Sequence, residues 1–482
     1  MADARPNIVL ILTDQQRADF SRGEGFALDT TPFLDRWAHG GVRFRRAYTP
    51  MPVCGPARCS LLTGRFPRAT RVRENGGLGH AVFGADLVSI LRAEGYTVSL
   101  CGKNHSHRPP ADFDFCAQYG HTGGGRPDRR TEADAEFDRW LHDLDHGVGL
   151  APTPFPLESQ LPFRIVDDAL ECVAAQGDRP FFLWLSFPEP HNPYQVPEPY
   201  FSLCSEQDVP DRAAGPEAGA RKGPKWRWMQ RLWEEKRPGY DAQWRRYRAN
   251  YCGMLRLIDD QIARFIGGLH AAGVLGDSIV LFTSDHGDYA GDYGLQRKGV
   301  GLPECLVRIP MIWRGPGIAP RPEASDAFVS LVDVLPTLCA AVRAEVPYGV
   351  HGRNLWPLLT GTPGAEAEFS SVYAEVGYGG RSYGEDERPP LHFPYEGPSL
   401  DELNSVTQSG LLKMVRRGAY KLTYDEGGHG ELYDVERDPA ELHDLWHDDR
   451  HGAARGALLE ELLRWMLRTE DDLPTARYRV KR

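Results

Sequence analysis

Asn7-Ile8-Val9-Leu10-Ile11-Leu12, running on into Thr13-Asp14-Gln15-Gln16, is the stretch that decides the fold. A run this apolar has no solvent face, which is how a strand buried on both sides reads. A carboxylate, Asp14, stands where it ends. Three other runs have the same character: Thr97-Val98-Ser99-Leu100, Phe181-Phe182-Leu183-Trp184-Leu185 and Ser278-Ile279-Val280-Leu281-Phe282-Thr283. Helical periodicity lies between them, as at Ala85 to Glu94 and Tyr251 to Leu269. Strands alternating with helices predict an α/β fold, a large mostly parallel sheet flanked by helices. After Thr360 the alternation ends. Leu411 to Arg416, Tyr420 to Tyr424 and Glu431 to Val435 predict an antiparallel meander, and Arg455 to Arg468 a helix after it. The expected division is a large N-terminal domain over 1–365 and a smaller C-terminal α+β domain over 366–482.

A chain of 482 residues exceeds one ordinary hydrophobic core, in keeping with that division. Its 41% hydrophobic content describes a globular protein. The net charge of −11, spread over interspersed acids and bases, predicts no nucleic-acid or anionic-membrane partner. No apolar run approaches the ~20 residues of a membrane helix, and Met1 to Pro6 lead into the first strand without a signal-peptide pattern. Nine cysteines, an odd number without a Cys-x-x-Cys pair, read as reduced thiols in a cytoplasmic protein. Two irregular stretches break the rhythm, 204–245 with Trp226, Trp228, Trp233 and Trp244, and Gly377 to Asn404. Both read as surface insertions that shape a pocket. The tryptophans either pack their insert onto the sheet or stack on a sugar or a quaternary ammonium.

Cys54-Gly55-Pro56-Ala57-Arg58, continuing to Leu62-Thr63-Gly64-Arg65, carries the chemistry. Pro56 is expected to open a helix and Gly64 to close it in a left-handed cap. Cys54 then sits at the positive end with Arg58 beside it, a place suited to an anion. The plain alternative is a reduced cysteine packed at a helix start. Asp14 and Asp285 both fall just past buried strands, at the edge where ligands bind in a parallel sheet. One such aspartate reads as a turn or cap residue. Two of them, flanked by Gln15 and by His286-Gly287-Asp288, repel unless a cation joins them, and read better as a metal site. Arginine outnumbers lysine six to one, yet Lys103 and Lys298 keep a compact ammonium in the region of the large sheet.

Together these strings resemble the sulfatase family, formylglycine-dependent members of the alkaline-phosphatase-like superfamily. The Cys54 string resembles the family signature, and Asp14-Gln15 and Asp285-His286-Gly287 its metal-binding pairs. Gly102-Lys103-Asn104-His105 looks like its Gly-Lys-x-His element, and Pro190-His191-Asn192-Pro193 like its Pro-His-x-Pro element. Leu295-Gln296-Arg297-Lys298 stands where the family has a lysine, and Glu431-Leu432-Tyr433-Asp434 resembles the start of its C-terminal domain. Gln15 departs from a carboxylate often found there, and His286 is a nitrogen donor where Ca²⁺ prefers oxygen.

The resemblance implies hydrolysis of a small sulfate monoester. Cys54, oxidised to formylglycine by a formylglycine-generating enzyme, would be the nucleophile. A divalent metal, Ca²⁺ on the family pattern with Mn²⁺ or Mg²⁺ as alternatives, would sit among Asp14, Gln15, residue 54, Asp285 and His286. Arg58, Lys103 and Lys298 would neutralise the sulfate oxygens, His191 with Lys298 would protonate the departing alcohol, and His105 would act as base. The rival is a phosphonate monoester or phosphodiester hydrolase of the same superfamily. Those relatives carry Tyr and Thr at the Lys-x-His element, so Lys103 and His105 favour sulfate. A catalytically silent anion-binding protein is the alternative of another class.

Overall fold

The computed structural model describes residues 5–177, 179–389 and 402–470. Its first strand, β1 (Asn7–Asp14), runs through the larger of two sheets. Ile8, Leu10 and Leu12 enter one apolar layer, Val9 and Ile11 the other. That is why the run has no polar face. The same sheet contains β2 (Val42–Tyr48), β3 (Thr97–Gly102), β4 (Phe115–Gly120), β5 (Gly123–Gly124), β6 (Phe181–Pro190), β7 (Ser278–Ser284), β8 (Arg308–Arg314) and β9 (Ser325–Ser330). Their spatial order is β5-β4-β3-β6-β1-β7-β8-β2-β9. From β4 to β7 the pairings are parallel. β5 and β8 run antiparallel to their neighbours, and β2 pairs in parallel with β9.

Helices cover both faces. Ala57, Leu61 and Leu62 of helix Cys54–Thr63, with Leu335 and Leu338, fill one layer. Helix Leu161–Ala174 and the long helix Trp244–Ala271 fill the other. The α/β architecture expected from the sequence is the one observed.

The second sheet is antiparallel: β10 (Ser371–Gly379), β11 (Gly410–Arg417), β12 (Tyr420–Asp425) and β13 (Gly430–Asp434). The expected meander is there, with β10 added at its edge. Helix Gly452–Thr469 packs on it through Leu458, Leu462 and Trp465. Against the large sheet it sets Val372, Ala374 and Met414 beside Tyr48 and Phe328. Buried charges join the same interface: Glu304 pairs with Arg416 at 2.6 Å and Lys421 at 3.3 Å, and Lys421 with Glu441 at 2.8 Å.

Two details differ from the sequence reading. The long helix begins at Trp244 rather than Tyr251, so Trp244 belongs to it and not to the insert. The insert itself contains helices Pro216–Arg221 and Pro224–Lys236. Trp226, Trp228 and Trp233 are buried there against Tyr289, Tyr293, Leu295 and Val300. Of the stretch Gly377 to Asn404, residues 390–401 lie outside the described residues. Among the described residues no helix is long and apolar enough to cross a membrane.

Candidate active site

Five neighbouring parallel strands finish at one edge, and each delivers a polar residue there: Asp14 from β1, Lys103 after β3, His121 after β4, His191 after β6 and Asp285 after β7. The backbone of β3 is fixed closely at this edge. Lys103 N–H donates to Ser186 O at 2.8 Å, and Gly102, at φ +113°, lies where a Cβ would come 1.8 Å from the same oxygen. Helix Cys54–Thr63 points its N-terminus at this edge, with Cys54 as its first residue and Gly64 (φ +64°) ending it as expected. Pro56 stands third in the helix instead of opening it. The first turn has no intrahelical use for its missing N–H, so proline is tolerated there too.

Cys54 lies at the centre of the cluster. Its Sγ is 3.5 Å from Asp14 Oδ1 and 3.2 Å from His286 Nε2. Arg58, expected to face the sulfate oxygens, instead pairs with both aspartates. Its Nε donates to Asp285 at 3.0 Å and Nη2 to Asp14 at 3.1 Å, while Nη1 donates to Lys103 O and to Ser186 Oγ. Lys103 Nζ is 2.5 Å from Asp14 Oδ2 and 2.7 Å from His121 Nε2. Lys298 Nζ is 2.8 Å from Gln15 Oε1, 3.1 Å from Glu402 Oε1 and 3.5 Å from His191 Nε2. Gln15 reaches the cluster by its backbone, N–H to Asp285 Oδ1 at 3.1 Å; its side-chain amide spans Asp288 and Lys298. His105 is partly buried, with a backbone φ of +45°. The sequence reading therefore gathers in one place, with Arg58 committed to carboxylates.

Burial and mutual charge set the protonation states. Burial alone would raise the Asp14 carboxyl, but Lys103, then His191 and Arg58, outweigh it and hold it well below the usual carboxylate range. Burial, then Asp14, push the Cys54 thiol up to about 12. A thiol so placed is not a thiolate nucleophile. Burial would lower the Lys298 ammonium; Cys54, Glu402 and Asp14 overcome that and keep it above its ordinary value. The His105 and His121 imidazoles are driven well down by burial and then by Lys103, and His191 by burial and then His121.

Asp14, Cys54, Asp285 and His286 each offer a ligand atom, all within 4.8 Å of one another. His286 Nδ1 donates to Gly287 O at 2.8 Å, which leaves the Nε2 lone pair turned to the cluster and to Cys54 Sγ. Two carboxylates and a neutral imidazole converging on one point fit a divalent cation.

The family model described as Sulfatase matches residues 6–344. The chain belongs to the sulfatase family. As a sulfatase it is an enzyme of the sulfuric ester hydrolase class. This sulfatase is 28% identical to an arylsulfatase of Clostridium perfringens over 93% of this chain and 91% of that protein. It is 28% identical to the multifunctional alkaline phosphatase superfamily protein PehA of Trinickia caryophylli, over 97% and 96%. Among solved structures it resembles the phosphonate monoester hydrolase of Agrobacterium radiobacter, with a TM-score of 0.77, 25% identity and 96% of each chain covered.

Three residues of this sulfatase's site escape the sequence reading: Ser186, His121 and Glu402. Ser186 sits inside a strand read only as apolar. His121 follows β4, whose Phe-Cys-Ala-Gln-Tyr-Gly has too little alternation to stand out as a strand. Had β4 been recognised, the strand-end rule that found Asp14 and Asp285 would have found His121. Glu402 reaches Lys298 from far along the chain, and no local pattern marks it.

Proposed function

We propose that this protein hydrolyses a small sulfate monoester, with residue 54 as formylglycine after oxidation of the Cys54 thiol by a generating enzyme. The observation that carries the reading is the convergence of Asp14, Arg58, Lys103, Asp285, His286 and Lys298 around one buried cysteine. Asp14, Asp285, His286 and residue 54, with Gln15 beside them, would hold a divalent metal, Ca²⁺ by family resemblance with Mn²⁺ or Mg²⁺ as alternatives. When bound it supplies Lewis acidity at residue 54.

The chain's own groups do the rest. Arg58 fixes the orientation of both carboxylates. Lys103 and Lys298 bind non-bridging sulfate oxygens and take up the charge that develops on them. Residue 54, hydrated to its geminal diol, attacks sulfur through one hydroxyl oxygen, the S–O bond to the organic group breaks, and the departing alkoxide takes a proton from the Lys298–His191 pair, in which the ammonium carries it. His105, neutral in this setting, accepts the proton lost from residue 54. As that proton leaves, the C–O bond from residue 54 to the bound sulfate breaks, the aldehyde returns and is hydrated again by water, so an ester and water become an alcohol and hydrogen sulfate. All nine cysteines are free thiols, which supports a cytoplasmic setting. A catalytic domain over 1–365 and a smaller one over 366–482 belong to the same proposal, since Glu402 of the latter reaches Lys298.

A second reading has its own support. Hydrolysis of phosphonate monoesters is favoured by the likeness to the Agrobacterium enzyme. Lys103 and His105 tip the choice to sulfate, because a monoester presents three free oxygens to a compact ammonium and a diester one fewer.

The experiment compares purified protein on an aryl sulfate and an aryl phosphonate monoester, with mass spectrometry of the Cys54 peptide. Aldehyde at position 54 with sulfate preferred supports the proposal. Preference for the phosphonate reverses the two readings. An unmodified thiol without turnover leaves the silent anion-binding protein.

A further inference from the structure

Each lysine of the site is held by an imidazole, and the two imidazoles are stacked. Lys103 Nζ lies 2.7 Å from His121 Nε2, and Lys298 Nζ 3.5 Å from His191 Nε2. The His121 and His191 rings are nearly parallel, at 16°, with centroids 3.6 Å apart. His146 meets both edge-on, at 6.2 and 6.1 Å.

An ammonium can only donate, so His121 Nε2 must accept and the ring proton resides on Nδ1. That Nδ1 is buried and has no hydrogen-bond partner among the described residues. A histidine kept for the fold alone is ordinarily satisfied at its buried polar atoms. Here the bond that fixes the tautomer is the bond to Lys103. Asp14 pulls the same ammonium from the other side at 2.5 Å. Without His121, Lys103 is free to settle wholly on the carboxylate.

We propose that His121 is a positioning residue of the reaction: it holds Lys103 toward the ester, and its stack on His191 fixes how far apart Lys103 and Lys298 stand. The proposal rests on the reading above in which both ammoniums bind the ester's oxygens.

Two measurements test it. Nitrogen NMR of ring-labelled histidines reads the tautomer without substrate, His121 being assigned by the signal lost in His121→Phe or His121→Gln. Nδ1–H with a bare Nε2 is expected, and an Nε2–H ring overturns the proposal. Kinetics use whichever ester the wild type turns over. His121→Phe keeps a stacking ring without the acceptor and is expected to lower kcat/KM roughly 10- to 100-fold. His121→Gln restores an acceptor and is expected to recover part of that loss. In a Lys103→Ala background the Phe change should cost nothing further; equal losses in both backgrounds overturn the proposal. A wild type inactive on sulfate and phosphonate esters refutes the proposed function, and the tautomer then still decides the role of His121.

Discussion

Cys54 shows how much a residue's meaning depends on its neighbours. Burial, then Asp14, hold its thiol up at about 12 against the downward pull of Lys103 and Lys298, and it does not serve as a thiolate. The proposed function gives it a use through what it is converted into. Cys54→Ala should therefore abolish turnover on an aryl sulfate while changing stability by only about 1 kcal/mol; thermal unfolding and a rate assay check both halves. Asp285→Asn removes charge from the ligand cluster and should weaken metal binding by about tenfold or more, read as metal content after dialysis. Lys103 separates the two ester classes. Lys103→Ala should cost about 30- to 1000-fold in kcat/KM on an aryl sulfate and much less on an aryl phosphonate monoester. An equal loss on both would contradict the assignment.

At the scale of elements, strand ends place the chemistry and glycines allow the approach. Gly102 is the tightest example, because its φ of +113° and the Ser186 carbonyl leave no room for a Cβ. Gly102→Ala should destabilise the protein by about 2 kcal/mol or more and lower kcat beyond what the lost stability explains, since Lys103 is the next residue. Denaturant midpoints and kcat measured on the folded fraction check this. The insert acts at this scale too. Trp226 and Trp233 pack on the segment Tyr289 to Val300, which carries Lys298, and the Arg297 guanidinium lies 5.0 Å from the Trp233 ring centroid. The tryptophans are thus legible in the sequence as unusual, while their role as a buttress is visible only once the segment they press on is known.

The whole molecule is joined across its two sheets by buried charge. Burial would raise the Glu304 carboxyl, but Arg416, then Lys421, hold it down at about 2. A carboxyl depressed in the folded state stabilises the fold above its unfolded value, about 4.3. That contribution, about 3 kcal/mol, disappears as the pH falls from there toward 2. Glu304→Gln should lower the melting temperature at neutral pH, because Arg416 loses a buried partner, and should flatten the melting curve's dependence on pH between about 5 and 2. Wild-type and variant curves that stay parallel through that range would exclude Glu304 as the acid-sensitive contact.

The sequence by itself determined the layered α/β sheet, the helix at Cys54 with its Gly64 cap, and the strand-end aspartates. Each is written in a local period, a cap or a run of apolar residues, and needs no distant partner to be read. Arg58 and the site lysines were legible as residue types at marked positions. Only the tertiary structure decided what they touch: Arg58 lies between Asp14 and Asp285, Lys103 between Asp14 and His121, and Lys298 among Gln15, His191 and Glu402. Such contacts join residues far apart along the chain, and their strength comes from burial in a low-dielectric interior, a property no single stretch of sequence has.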